Sequence, residues 1–282
     1  MNMTVPILSI VCMAAAGIAG FAIPVALFLY FRLKKHADLP PFFIGCAVMF
    51  VFALTLESLM HQLVLGSAVG ETIKNNIWLY ALYGGLAAGI FEETGRFLAF
   101  RTVLKKYQCR DINAMMYGAG HGGLEAAMLL GVAMFGNIAL AIMMNLGQLS
   151  AMTASLPAEA LEQLQPTLDT LAQTKPYMFL PGIIERVFAA ALQISLSVLV
   201  WFAAKNKKKV YLYPVAVLIH FAVDGVTVVM SGLEVPIIVI EALLAGMTVV
   251  AALAAKVVWY KNASNDSPTN NSKINVPESL NP

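Results

Sequence analysis

The sequence predicts an all-α fold, a polytopic transmembrane helix bundle of about seven spans with its N-terminus outside and its C-terminus cytoplasmic. Composition, the length of the apolar runs and the distribution of charge predict it. Hydrophobic residues make up 59% of the 282 and charged residues 12%, against roughly 45–50% and about 25% in soluble domains. Several apolar runs exceed the roughly 20 residues that cross a bilayer. That balance excludes a soluble enzyme, a coiled coil and a disordered chain. Cys12, Cys46 and Cys109 have no metal-type spacing, so neither a disulfide framework nor an iron–sulfur site follows from them.

The apolar runs place spans at 5–31, 40–66, 77–100, 112–147, 177–204, 210–231 and 235–259. The first has no Lys or Arg before Arg32 and is too long for a cleavable signal peptide. Arg32, Lys34 and Lys35 follow span one, and Arg101, Lys105, Lys106 and Arg110 follow span three. Lys205 and Lys207 to Lys209 follow span five, and Lys256, Lys261 and Lys273 flank span seven. The other side has only Lys74 and Lys175, so the basic side is expected to be cytoplasmic. Span four, 112–147, would be about 54 Å long as one helix. Splitting it at Gly131–Asn137 would put Lys205–Lys209 outside, so it reads as one long, tilted or broken span. Residues 148–176, with Pro157, Glu159, Glu162, Pro166 and Asp169, read as an external loop with an amphipathic helix. The domain expected is a bundle over 1–261 with its functional core in 77–231, and a disordered cytoplasmic tail over 262–282.

Seven acids fall inside spans: Glu57, Glu92, Glu93, Glu125, Glu185, Asp224 and Glu241. So do His61, His121 and His220. An ionisable group costs at least a few kcal/mol in hydrocarbon, so each should face the bundle interior or a wet cavity. Glu92 lies nine residues before Arg101, His121 eleven after Arg110, and His220 eleven after Lys209. Three helices therefore bring them to one plane, roughly 14–16 Å from the basic side. Each repeats a polar group one turn away: Arg96, Glu125 and Asp224 respectively. Glu57 with His61, and Glu185 with Arg186, read as structural pairs nearer the outer side, and Glu241 as an outer-interface residue. Gly118, Gly120, Gly122 and Gly123 suit close helix packing and also leave room beside His121 for water or an extended backbone. The methionines at 115, 116, 128, 134, 143 and 144 read as lipid-facing or core filler.

A carboxylate and imidazoles at one depth are the groups needed to activate water. Glu92 would serve as base, His121 would share the water proton, and His220 with Asp224 would face a developing oxyanion. Glu92 and Glu93 point about 100° apart on a helix and should do different work. Arg96 is assigned to Glu93 as an anchor, leaving Glu92 free.

Glu92-Glu93-Thr94-Gly95-Arg96, Gly120-His121-Gly122-Gly123-Leu124-Glu125, Tyr117-x-x-x-His121 and His220-x-x-x-Asp224 together resemble the motifs of the glutamic intramembrane protease superfamily. That superfamily includes the type II CAAX prenyl endopeptidases, bacteriocin-processing proteins and PrsW-like proteases, and the sequences look most like the bacterial YhfC-like branch. The resemblance implies an intramembrane endopeptidase, with Glu92, His121, His220 and Asp224 catalytic and Glu93, Arg96 and Glu125 supporting. It implies no cofactor, a multi-pass location in a bacterial-type plasma membrane, and membrane-anchored peptide substrates rather than nucleic acid. Spacing in the prenyl branch is one residue longer than Glu92–Arg96, which argues against a prenylated substrate.

Three rival readings stand beside it, of which a non-catalytic scaffold gives no reason for seven acids within spans. A zinc metallopeptidase could use His121, Glu125, His220 and Asp224 as ligands with Glu92 as base. A proton-coupled transporter could use the same residues as a relay, although no internal repeat supports it.

Overall fold

The structure, a computed structural model, describes residues 4–149, 153–154 and 156–263. The tail expected at 262–282 lies outside the described residues beyond Ala263. Among the described residues the regular structure is entirely helical. Six helices among the described residues are long and apolar enough to cross a membrane: α1 Ile7–Lys34, α2 Leu39–Leu65, α5 Ile112–Asn145, α7 within Pro176–Lys205, α8 within Lys207–Gly232, and α9 Ile237–Asn262. The remaining expected span is α4, Ile77–Arg101, whose 25 residues make a rod of about 37 Å. Its length matches the others, but Glu92, Glu93 and Arg96 take its composition below theirs. It is packed between α2, α7 and α8, which hide those groups.

Span four is one helical rod from Ile112 to Asn145, so the chain does not divide at Gly131–Asn137. Its backbone passes without interruption through a π-helical turn at Ala127–Val132. Between α2 and α4, where the sequence suggested only a loop, Ser67 Oγ caps a short helix, α3, over Ala68–Lys74. Asn76 Oδ1 then accepts from the backbone N–H groups of Trp78 and Leu79 and starts α4. The 148–176 stretch contains α6, Ala158–Gln173, whose Leu168 and Leu171 bury against Val5, Met13, Ala141 and Met144.

One end of the bundle gathers the turns rich in basic residues. Arg110 Nη1 meets Asp38 Oδ1 at 3.0 Å and its Nη2 donates to the His36 carbonyl. Asp111 Oδ1 accepts from Trp201 Nε1 at 2.8 Å and Lys205 Nζ at 2.6 Å. Just inward, the Phe100 ring lies 4.6 Å from Tyr117 and 5.0 Å from Trp201, both edge to face. That aromatic triad fixes α4, α5 and α7 relative to one another.

Close approach of backbones then sets the bundle interior. A Cβ on Gly120 would lie 1.9 Å from the Phe42 carbonyl oxygen, and one on Gly45 2.2 Å from that of Tyr117. The α2–α5 crossing therefore needs glycine from both sides. On the other flank of α4, a Cβ on Gly89 would lie 2.8 Å from the Val217 carbonyl oxygen. This contact brings α8, and His220 with it, against the polar face of α4.

Candidate active site

The site grows from two adjacent residues on α4 that face different neighbours. Glu93 and Arg96, one turn apart, are both fully buried. Arg96 Nη1 donates to both Glu93 oxygens, at 2.5 and 2.6 Å. The assignment of Arg96 to Glu93 therefore matches the geometry, but Glu93 does more than anchor it. Its Oε1 also lies 2.8 Å from His220 Nδ1, which orients that ring and turns Nε2 the other way. His220 Nε2 lies 3.5 Å from Asp224 Oδ2 and 3.9 Å from Glu92 Oε2.

Glu92 faces α5 and α7. Its Oε2 lies 2.8 Å from His121 Nε2 and 3.0 Å from Gln193 Nε2. The buried Nδ1 of His121 has no partner among the described residues. An unpartnered lone pair is cheaper to bury than an unpartnered N–H, so Nε2 carries the proton and donates it to Glu92. With Oε2 taken by two donors, Oε1 of Glu92 accepts no hydrogen bond among the described residues. Glu92 lines a cavity of about 100 Å³ together with Glu125, Glu185, Arg186, His220 and Asp224.

The three residues expected in one plane, Glu92, His121 and His220, thus meet, and Asp224 joins them at the cavity wall. Glu125, one turn from His121, accepts from Arg186 Nη1 at 2.6 Å and from Gln193 Nε2 at 3.0 Å. Arg186 also donates to Glu185, so those two pair as expected, and with Glu125 they line the same cavity as Glu92. The glycines around His121 leave no space there. Gly118 faces Ile194, Gly120 faces Phe42 and Gly123 faces Pro24 at distances that would exclude a Cβ, and His121 is fully buried. Glu241, in the second turn of α9, is buried, and its Oε2 has no partner among the described residues. Glu57 and His61 do pair, at 3.2 Å, with Tyr83 Oη 2.9 Å from the other ring nitrogen.

Gln193 on α7 was not singled out from the sequence. An uncharged amide inside an apolar span carries little signal by itself. Only its position one helix away from three ionisable pairs gives it weight.

The four proposed zinc ligands do not converge. Arg186 holds Glu125, and His121 Nε2 is aimed at Glu92. No group of three or more His, Cys, Asp or Glu side chains is arranged to hold a metal among the described residues. As folded, this donor set does not fit a zinc ion.

A family model described as YhfC intramembrane metalloprotease matches residues 19–245. The uncharacterized membrane protein YhfC of Bacillus subtilis (strain 168) is 35% identical over 257 residues, which cover 89% of this chain and 98% of that protein. No solved structure matches.

Proposed function

The chain belongs to the YhfC family, a family described as intramembrane proteases, and from that premise we propose a multi-pass endopeptidase of glutamic type. It hydrolyses peptide bonds of membrane-associated substrates with a water activated by Glu92. The observation that carries this reading is the division of labour between the two Glu92 oxygens. His121 and Gln193 hold Oε2, so Oε1 is the oxygen left to accept a proton at the cavity wall.

In the reaction, water gives a proton to Glu92 Oε1 as its oxygen bonds to the peptide carbonyl carbon. The carbonyl becomes an oxyanion, stabilised by the Nε2–H of His220 in its doubly protonated form, whose Nδ1–H is held by Glu93. The proton on Glu92 then passes to the departing amide nitrogen as the C–N bond breaks, and the base is restored. Arg96 and Arg186 touch neither water nor peptide in this scheme. They pair with Glu93, Glu125 and Glu185, two positive charges against three negative, so that most of the acid charge beside Glu92 is offset. An apolar groove of about 490 Å³ between α8 and α9 shares Val223 with the cavity. An apolar groove on the other side of that residue suits a substrate that is itself in the membrane.

The family description favours a second reading, in which zinc takes part. One experiment tests both: purified protein in detergent micelles, a library of transmembrane peptides, and mass spectrometry of the products with and without chelator. Glutamic chemistry predicts cleavage that survives chelation and stops in Glu92→Gln. Cleavage lost to chelator and restored by zinc would overturn it in favour of the metal. No cleavage of any peptide by the wild type would count against both and favour the proton relay.

A further inference from the structure

We infer that Gln193 is a positioning residue that sets the orientation of the Glu92 carboxylate. The inference rests on the reading of Glu92 as the base. A carboxamide has one acceptor oxygen and two N–H groups, and either end can face a given partner unless the surroundings decide. Here they decide. Gln193 Oε1 accepts from Arg96 Nη2, and Arg96 is itself fixed by both oxygens of Glu93. The amide end therefore has to face the other way, where Nε2 lies 3.0 Å from Glu92 Oε2 and 3.0 Å from Glu125 Oε2. Its two hydrogens meet two carboxylate oxygens, and the side chain is buried.

The consequences are geometric and electrostatic. Gln193 links the Arg96–Glu93–His220 cluster to the Arg186–Glu125–Glu185 cluster through a neutral group, with no additional charge to desolvate. It also occupies Glu92 Oε2 together with His121, which keeps Oε1 as the reactive oxygen. Without the amide, the Glu92 carboxylate would be held from one side by His121 alone and free to turn about its last torsion.

The test uses Gln193→Met, which keeps length and volume, and Gln193→Glu, which keeps the planar shape and the acceptor for Arg96. Each is compared with wild type in steady-state cleavage and by NMR of ¹⁵N-histidine-labelled full-length protein in nanodiscs. The His121 ring signals are assigned by their loss in His121→Ala. We expect kcat to fall by about 10- to 100-fold, the scale of a lost hydrogen bond to a charged group, with KM within about twofold. The His121 Nε2 resonance should move in both variants. A folded Gln193→Met protein that keeps kcat within about threefold of wild type would overturn the inference. So would a loss of kcat with the His121 resonance unmoved, which would make Gln193 a packing residue. Should the wild type cleave nothing, the proteolytic reading fails by itself, while the resonance still decides whether Gln193 orients Glu92.

Discussion

Glu92→Gln and Glu93→Gln are the same chemical change on neighbouring residues, and their surroundings predict opposite outcomes. In Glu92→Gln the amide oxygen can take the place of Oε2 and accept from both His121 and Gln193, so the fold keeps its contacts. The NH₂ group then stands where Oε1 was and has no lone pair to take a proton from water. Loss of a general base costs about 10²–10⁴-fold in rate, or about 2.7–5.4 kcal/mol of barrier at 1.36 per tenfold. In Glu93→Gln one oxygen must serve Arg96 Nη1 and His220 Nδ1 together, where two oxygens stood at 2.5–2.8 Å. The new NH₂ faces the guanidinium, donor against donor, and the fully buried Arg96 loses the carboxylate bonded to it. Breaking a buried pair from one side costs about 3–5 kcal/mol. The assay is thermal unfolding in detergent together with cleavage per folded molecule. Glu92→Gln should melt near wild type and be inactive, whereas Glu93→Gln should melt markedly lower or fail to accumulate. A Glu92→Gln protein with near-normal cleavage, beside a Glu93→Gln protein that is stable and dead, would refute the assignment and exchange the two glutamates.

Orientation is open to a direct check: a reporter fused after Pro282 should behave as cytoplasmic and one inserted near residue 160 as external, and a result with both on one side would break the charge argument. Gly120→Ala should prevent normal folding, because its Cβ would lie 1.9 Å from the Phe42 carbonyl oxygen, while Gly136→Ala meets nothing within 4 Å and should stabilise by up to about 1 kcal/mol. Expression and melting of that pair would reveal whether the α2–α5 contact is as tight as described. Asp111→Ala removes the acceptor of Trp201 Nε1 and Lys205 Nζ and should lower stability by about 1–3 kcal/mol. Tryptophan emission should shift with it, and unchanged melting and emission would show that the bond contributes nothing.

The sequence by itself determined depth and local pairing. Rise along a helix is fixed at about 1.5 Å per residue, so counting from the basic turns was enough to put Glu92, His121 and His220 at one level. The same rule made Arg96 a neighbour of Glu93 and His61 a neighbour of Glu57, because three or four residues make one turn. The charge of the turns likewise kept the long fourth span undivided, because splitting it would have put Lys205–Lys209 outside. Rotation about each helix axis and the choice of lateral neighbour are a different matter, since they are settled by contacts between helices. Glu125 lies one turn from His121, yet it pairs with Arg186 because α7 packs against that face of α5. The glycines beside His121 could admit water or backbone as far as sequence goes. Close approach of α1, α2 and α7 fills that space. Gln193 acquires its place only when α7 brings an uncharged amide between Arg96, Glu92 and Glu125. Spacing along one chain encodes which groups share a level. The packed bundle decides which of them touch, because side chains on different helices meet only after the backbones have closed at their small residues.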